Sequence, residues 1–329
     1  MESKILREIL VKSEEETDPR YGCDPKRRGI KEYLGYGVVN LDKPSGPTSH
    51  QVSSWVSKIL HLKRAGHSGT LDPRVTGVFP VTLENATKIV QALLLSTKGY
   101  VCLMSLHDDV SDDKLNKIVS YFQGEIFQTP PVKSSVKRVL RKRNIYQLEL
   151  LERENRWVLF NVRCEAGTYI RKLCHDMGLI LGVGAHMHGL RRTKAGPFNE
   201  DFLVTLHDLK DAYEFYIEDD DESYLRRCVQ PVEEAVQHLK KIWVKDSAVS
   251  AVCHGANLNA PGVSKLEEGI QGNELITLFT LKNELVALGR SLKTSEEIHE
   301  MKRGAVFDLK RVIMNQDVYP KRWRKSEDI

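Results

Sequence analysis

Two kinds of apolar spacing meet near the middle of the chain, and together they limit the fold more than any other feature. Tyr146, Leu148 and Leu150 alternate, as do Val158, Phe160, Val162 and Cys164. Period two reads as half-buried strands. After Gly167 the spacing turns helical: Ile170, Leu173, Cys174, Met177 and Leu181 form one stripe, which predicts a helix from about Thr168. Strand, strand and helix in quick succession exclude an all-helical or all-β chain and point to an α+β fold.

The flanking sequence extends this pattern. Val38, Val39 and Leu41 predict a short strand, ended by the turn Lys43-Pro44-Ser45-Gly46-Pro47. Thr48 or Ser49 can cap the helix that follows, with Val52, Trp55, Val56, Ile59 and Leu60 on its buried face. Residues 101–106 read as a strand. Ser111 is placed to cap a helix that buries Leu115, Ile118, Val119 and Phe122. Residues 128–143 hold two adjacent prolines and many cations, which predicts an exposed loop. Residues 199–240 are less regular and contain the acidic run 218–222. Beyond Lys240 the pattern is compact and β-rich. There Asp246 or Ser247 caps a short helix ending at Gly255, and residues 275–280 and 284–288 form a hairpin around Lys282-Asn283. Thr294 with Glu297 makes a capping box.

At 329 residues the chain has room for about two domains and a sizeable core. The net charge of +4 is too weak to identify a nucleic-acid binder, so its distribution matters more. Cations crowd at Lys133, Lys137, Arg138, Arg141, Lys142 and Arg143, and again at Lys321, Arg322, Arg324 and Lys325 around Trp323. One such run is usually a solvated face; two, one of them beside an indole, move the reading toward RNA. The six cysteines form no CxxC pair, which suggests a reducing compartment and no structural zinc. His186 and His188 lack a nearby third ligand and read as local packing or RNA contact. The N-terminus has no signal-peptide core, and no apolar run is long enough to span a bilayer. A soluble, intracellular protein without metal or cofactor is expected.

The stretch His67-Ser68-Gly69-Thr70-Leu71-Asp72-Pro73-Arg74-Val75-Thr76-Gly77 is the richest in chemistry. Its glycines permit sharp turns, and Pro73 biases Asp72 toward an extended backbone. A carboxylate on a stiff loop suits catalysis, where misplacement costs rate steeply. Read alone, Asp-Pro is also a common turn pair.

From Gly35 to about Phe198 the chain resembles the pseudouridine synthases of the TruB type, and within them the dyskerin-type branch found in H/ACA guide-RNA particles. Gly69-Thr70-Leu71-Asp72-Pro73 matches the family's active-site loop. Leu41-Asp42-Lys43-Pro44, Lys98-Gly99-Tyr100, Gly167-Thr168-Tyr169-Ile170-Arg171 and Leu190-Arg191-Arg192 match its other motifs in order. The resemblance implies that Asp72 is the essential carboxylate, acting on the ribose or the base, and that Arg171 pairs with it and aims it. Tyr100 would stack on the flipped uracil and could move a proton. Tyr169 and Leu190 would wall the base pocket. His67 would enter the RNA stack or serve as a loop histidine. Lys43 would support the loop or touch phosphate. Lys133, Lys137, Arg138 and Arg141 would belong to a mobile, RNA-binding lid.

Residues 241–323 resemble a PUA domain through His254-Gly255-Ala256-Asn257-Leu258 and Ala260-Pro261-Gly262, with Gly255 and Ala256 close to RNA. A helix cap followed by a loop accounts for the same residues. The implied division is an N-terminal extension at 1–32, packed on the PUA domain through Tyr21-Gly22-Cys23, then a catalytic domain at 33–240, the PUA domain, and a tail at 324–329. The implied fold is a mixed, mostly antiparallel sheet with flanking helices, plus a small β-barrel-like PUA domain.

The implied activity is guide-directed conversion of uridine to pseudouridine in ribosomal RNA, without a cofactor. The implied partners are an H/ACA guide RNA, a small zinc-binding protein, a glycine/arginine-type protein and a kink-turn-binding protein. Eukaryotic members carry long lysine-rich tails, and a chain ending at Ile329 points to the archaeal, cytoplasmic form. Rival readings are a stand-alone tRNA enzyme of the same chemistry, a non-catalytic RNA scaffold and a base-exchange enzyme. The motif context of residues 69–73 argues against the last.

Overall fold

A computed structural model describes residues 7–131 and 136–321. Lys133, the cluster at 322–325 and the tail at 324–329 lie outside them. The chain divides into two compact units, one built from residues 39–82 and 90–229, the other from 1–38, 83–89 and 230–329.

The first unit is organised by a mixed sheet. Its strands run in the order Gly37–Lys43, Thr76–Leu83, Ala185–Ala195, Lys98–Leu106, Trp157–Cys164, Arg141–Glu154 and Gly124–Gln128. Thr76–Leu83 and Ala185–Ala195 pair in parallel. The pairings of Lys98–Leu106 with both of its neighbours are antiparallel. Thr48 caps the helix Ser49–Ile59 in a full capping box with Gln51. Val52, Val56 and Leu60 face the core at i, i+4 and i+8, which leaves Trp55 on the flank at 40% exposure rather than on the buried face.

Sequence spacing misled at three further places in this unit. Tyr146 is 43% exposed, while Ile145 and Leu148 are buried. A register shift between Ile145 and Gln147 inserts one residue into the strand and turns Tyr146 outward. The basic loop is shorter than 128–143, because Gln128 pairs with Arg141 at the end of a ladder. Residues 199–240 hold two helices, Leu206–Asp219 and Glu222–Cys228. The acidic run is their junction: Asp220 closes the first in a left-handed conformation, and the Asp221 carboxylate caps the second by accepting from the Ser223 amide.

The second unit contains a curled seven-stranded sheet in the order Ile9–Val11, Val263–Glu267, Lys240–Val244, Leu275–Phe279, Leu285–Ser291, Ala305–Val312 and Leu258–Asn259. Its one parallel pair among these joins Lys240–Val244 to Leu275–Phe279. Ile242, Val244, Val286 and Phe307 lie in its core. Asp246 does not cap the helix Asp246–Cys253, whose N-cap is Lys245. The buried Asp246 carboxylate instead accepts from the Thr17 hydroxyl and the Asp18 amide, both at 2.9 Å. No helix among the described residues is long and apolar enough to cross a membrane.

Candidate active site

The loop carrying Asp72 is pinned from two sides. Ser49, the first residue of its helix, accepts from the Leu71 amide at 2.9 Å and donates to the Leu71 carbonyl at 3.1 Å. Lys43 is fully buried and gives its ammonium to the carbonyls of Pro44, Pro73 and Val75 at 2.9, 3.0 and 3.0 Å. Three acceptors use the three donors of an ammonium, so Lys43 supports the loop and has none left for a phosphate. Burial lowers its pKa, Arg192 adds to that effect and Asp72 opposes it. Gly69 sits at φ +117°, a conformation that favours glycine.

Asp72 forms an ion pair with Arg171, and each side chain is 50% exposed. Arg171 lies in the first turn of the helix Ile170–Leu181. The start of that helix is fixed by Gln128, whose side-chain amide accepts from the Tyr169 amide at 3.0 Å and donates to the Tyr169 carbonyl at 3.2 Å. The carboxylate is thus aimed by a guanidinium and open to an incoming group. This combination suits attack on a ribose or base carbon.

Tyr100 is buried, at 9% exposure, and sits opposite Arg192 on the neighbouring strand. Burial pushes its phenol up, and the Arg192 guanidinium works against that rise. Leu190, half-buried, faces Cys102 two residues along the same ladder. Among the described residues no hydrogen bond joins Tyr100 to Asp72 or Arg171. His67 packs against Phe79 at 5.3 Å and His50 at 5.0 Å between ring centres. Burial, then His50 and Arg192, lower its pKa.

Lys137 and Arg138 lie exposed on the basic loop, and the half-buried Arg141 opens the strand that follows it. Arg138 donates to the Pro130 carbonyl at 3.2 Å, and Arg141 to that of Lys137 at 3.2 Å. His186 meets His107 at 2.9 Å, and His188 stands edge-on to Trp157. Among the described residues no cluster of three or more His, Cys, Asp or Glu could hold a metal.

Sequence reasoning gave no role to Ser49 beyond a cap, none to Gln128 and none to Arg192. The Arg191-Arg192 doublet held the only signal for the last. Adjacent strand residues face opposite ways: Arg191 bonds to Asp42 and Glu200, and Arg192 turns inward.

In the second unit, Gly255 adopts φ +99° just after the helix Asp246–Cys253, with no protein atom close to where a Cβ would stand. Its amide donates to the Val252 carbonyl, and that of Ala256 to Ala251. Both residues are exposed. Gly255 borders a cavity of about 790 Å³ lined also by Lys88, His254, Asn315, Gln316 and Asp317.

Residues 57–170 match the TruB family pseudouridylate synthase N-terminal domain, and 171–237 the tRNA pseudouridylate synthase B C-terminal domain. Residues 240–313 match the PUA domain and 2–53 the DKCLD domain. A probable tRNA pseudouridine synthase B of Pyrococcus furiosus is 55% identical over 98% of this chain and 96% of its own length. The protein of the same description from Methanopyrus kandleri is 55% identical over 96% of this chain and 94% of its own. Among solved structures, a chain of a Cbf5-Nop10-Gar1 complex superposes with a TM-score of 0.92 at 55% identity, covering 96% of this chain and 97% of that one. A chain of an H/ACA RNP bound to a substrate RNA containing 2'-deoxyuridine does so with a TM-score of 0.91 at 54% identity, covering 97% and 98%.

Proposed function

The chain belongs to the TruB family of pseudouridine synthases, and on that premise we propose that it is the catalytic subunit of an H/ACA guide ribonucleoprotein, converting uridine to pseudouridine in ribosomal RNA. The observation that carries the particle role is the likeness to a chain of an H/ACA particle with substrate RNA, which spans 97% of this chain at 54% identity. Base pairing by a guide supplies the sequence choice, while the protein recognises shape and backbone.

In this reading Asp72 is the catalytic carboxylate and Arg171 aims it. Tyr100 stacks on the flipped base, with Tyr169 and Leu190 forming the pocket wall. His67 fills the place the base leaves in the stack. Lys133, Lys137, Arg138 and Arg141 bind RNA from the lid. Gly255 and Ala256 bind the guide on a PUA domain at 241–323, with residues 1–32 packed on it and the catalytic domain at 33–240. The partners are the particle's small zinc-binding, glycine/arginine-type and kink-turn-binding proteins, and the location is the cytoplasm.

A second reading, a stand-alone tRNA enzyme, is favoured by the description of the curated relatives as probable tRNA pseudouridine synthases.

The test is pseudouridine formation in a defined ribosomal RNA fragment and in a tRNA, with and without a matching guide and the partner proteins. Product that requires the guide supports the particle role. Product from tRNA alone supports the second reading. Asp72→Asn is expected to bind RNA within about twofold of wild type and to form no detectable pseudouridine, since an amide can serve neither as the nucleophile nor as the base. Substantial product from Asp72→Asn would sink the catalytic assignment.

A further inference from the structure

Arg192 is buried to the end of its side chain, yet no carboxylate pairs with it among the described residues. Its Nε donates to the Val78 carbonyl at 2.7 Å, and the residue stands directly across the ladder from Tyr100. Its Nη2 has no partner. Gly77 stands at φ +97°, where a Cβ would meet the Arg192 carbonyl at 2.2 Å, so the backbones close tightly at this point. A Cβ on Gly69, in the loop that carries Asp72, would stand 3.9 Å from Arg192 Nη1. The guanidinium therefore lies between the Tyr100 strand and that loop. Burying a charge without a counter-ion costs stability that an apolar side chain of similar volume would not, so packing alone does not explain an arginine here.

A guanidinium has only donors. Toward Arg192, its neighbour across the ladder, the Tyr100 oxygen can therefore only accept, which leaves its single proton free for another acceptor. We propose that Arg192 is a positioning residue for the isomerisation: it fixes the Tyr100 oxygen as an acceptor, so that the phenol presents its one proton to the uracil. The inference rests on the reading that Tyr100 meets the base. Burial is the main influence against the ionised phenol, Arg192 favours that form, and Cys164 adds weakly to burial.

The test is a double-mutant cycle on the full chain with guide, partners and saturating RNA, read as the single-turnover rate of pseudouridine formation. Arg192→Met is expected to slow the reaction by about 100-fold, in the range of a lost proton-handling group, with RNA affinity unchanged. In a Tyr100→Phe background the same substitution should cost less than about threefold, because the residues act as one unit. The alkaline limb of the pH–rate profile should move upward in Arg192→Met and be absent in Tyr100→Phe. If circular dichroism shows that Arg192→Met does not fold, Arg192→Lys takes its place in the cycle, since it keeps the charge and loses the fork. A slow Tyr100→Phe enzyme in which the Arg192 substitution costs its full factor overturns the inference alone. A Tyr100→Phe enzyme as fast as wild type overturns the role of Tyr100 itself.

Discussion

Lys98 shows how a residue two places from Tyr100 can couple the fold to pH. Its ammonium is buried and donates to the carbonyls of Leu93 at 2.9 Å and Ser96 at 2.6 Å, and to the Ser96 hydroxyl at 3.0 Å. Burial, with Arg192 adding to it, brings its pKa down to about 7 from 10.5. Below pH 7 the folded and unfolded chains both carry the proton, so this group adds no pH dependence. Between about 7 and 10.5 the folded chain has released the proton and the unfolded chain still holds it. The unfolded state then binds more protons, and stability from this group rises with pH, by at most about 1.4 kcal/mol per pH unit. Lys98→Met is expected to remove that rise. Denaturant unfolding of both proteins between about pH 6 and 11, which brackets the two pKa values, checks it: the stability difference should shift in favour of wild type as pH increases. Parallel curves would show that Lys98 keeps its proton throughout. Lys43, with three carbonyl acceptors, performs the comparable structural task beneath Asp72.

At the scale of elements, the helix Ser49–Ile59 acts as the clamp of the loop that carries Asp72. Ser49 satisfies both backbone groups of the buried Leu71, one residue before Asp72. Ser49→Ala leaves that amide and carbonyl without their side-chain partner, which costs about 1–3 kcal/mol of stability. It should also slow chemistry about tenfold by loosening Asp72, while RNA affinity holds. Single-turnover rates beside binding titrations test this; a loss confined to affinity would show that the helix grips RNA rather than the loop. Much at this scale was legible in advance. The strands through Val158–Cys164 spacing, the helix behind Gly167 and the Thr294 capping box follow from periodicity and cap chemistry, which are local. The exposed Tyr146 and the inward Arg192 were not legible, because a bulge and the face of a strand are set by the partner strand. Asp246 looked like a cap for the same reason: its true partners, Thr17 and Asp18, lie far away in sequence. Asp72, Arg171 and their pairing were implied by the family resemblance of their motifs; the residues alone do not give the pairing, which needs the fold to close 99 residues of chain.

At the scale of the molecule, one unit draws its described residues from three separate stretches, 7–38, 83–89 and 230–321, so segments far apart in sequence must meet before it is assembled. The N-terminal segment is woven into it. Ile9–Val11 adds an edge strand to Val263–Glu267, and Lys282 donates to the carbonyls of Asp18 at 2.8 Å and Gly22 at 3.3 Å. Such long-range closure slows folding relative to local contacts, and it concentrates the hold on a few residues. Gly22 is one of them. Its φ is +65°, and a Cβ there would meet Glu284 Oε2 at 2.2 Å and the Tyr319 hydroxyl at 2.4 Å. Neither neighbour yields cheaply: Tyr319 is buried, and its hydroxyl donates to Glu284 at 3.3 Å. Gly22→Ala therefore combines a strained backbone with a clash, together worth about 2–4 kcal/mol. Calorimetry of the full chain should show a transition lowered by several degrees, whereas Gly272→Ala, where no atom lies within 4 Å of the added methyl group, should leave it near wild type. A Gly22→Ala protein that melts within about a degree of wild type would mean that the N-terminal segment lies on this unit without holding it together.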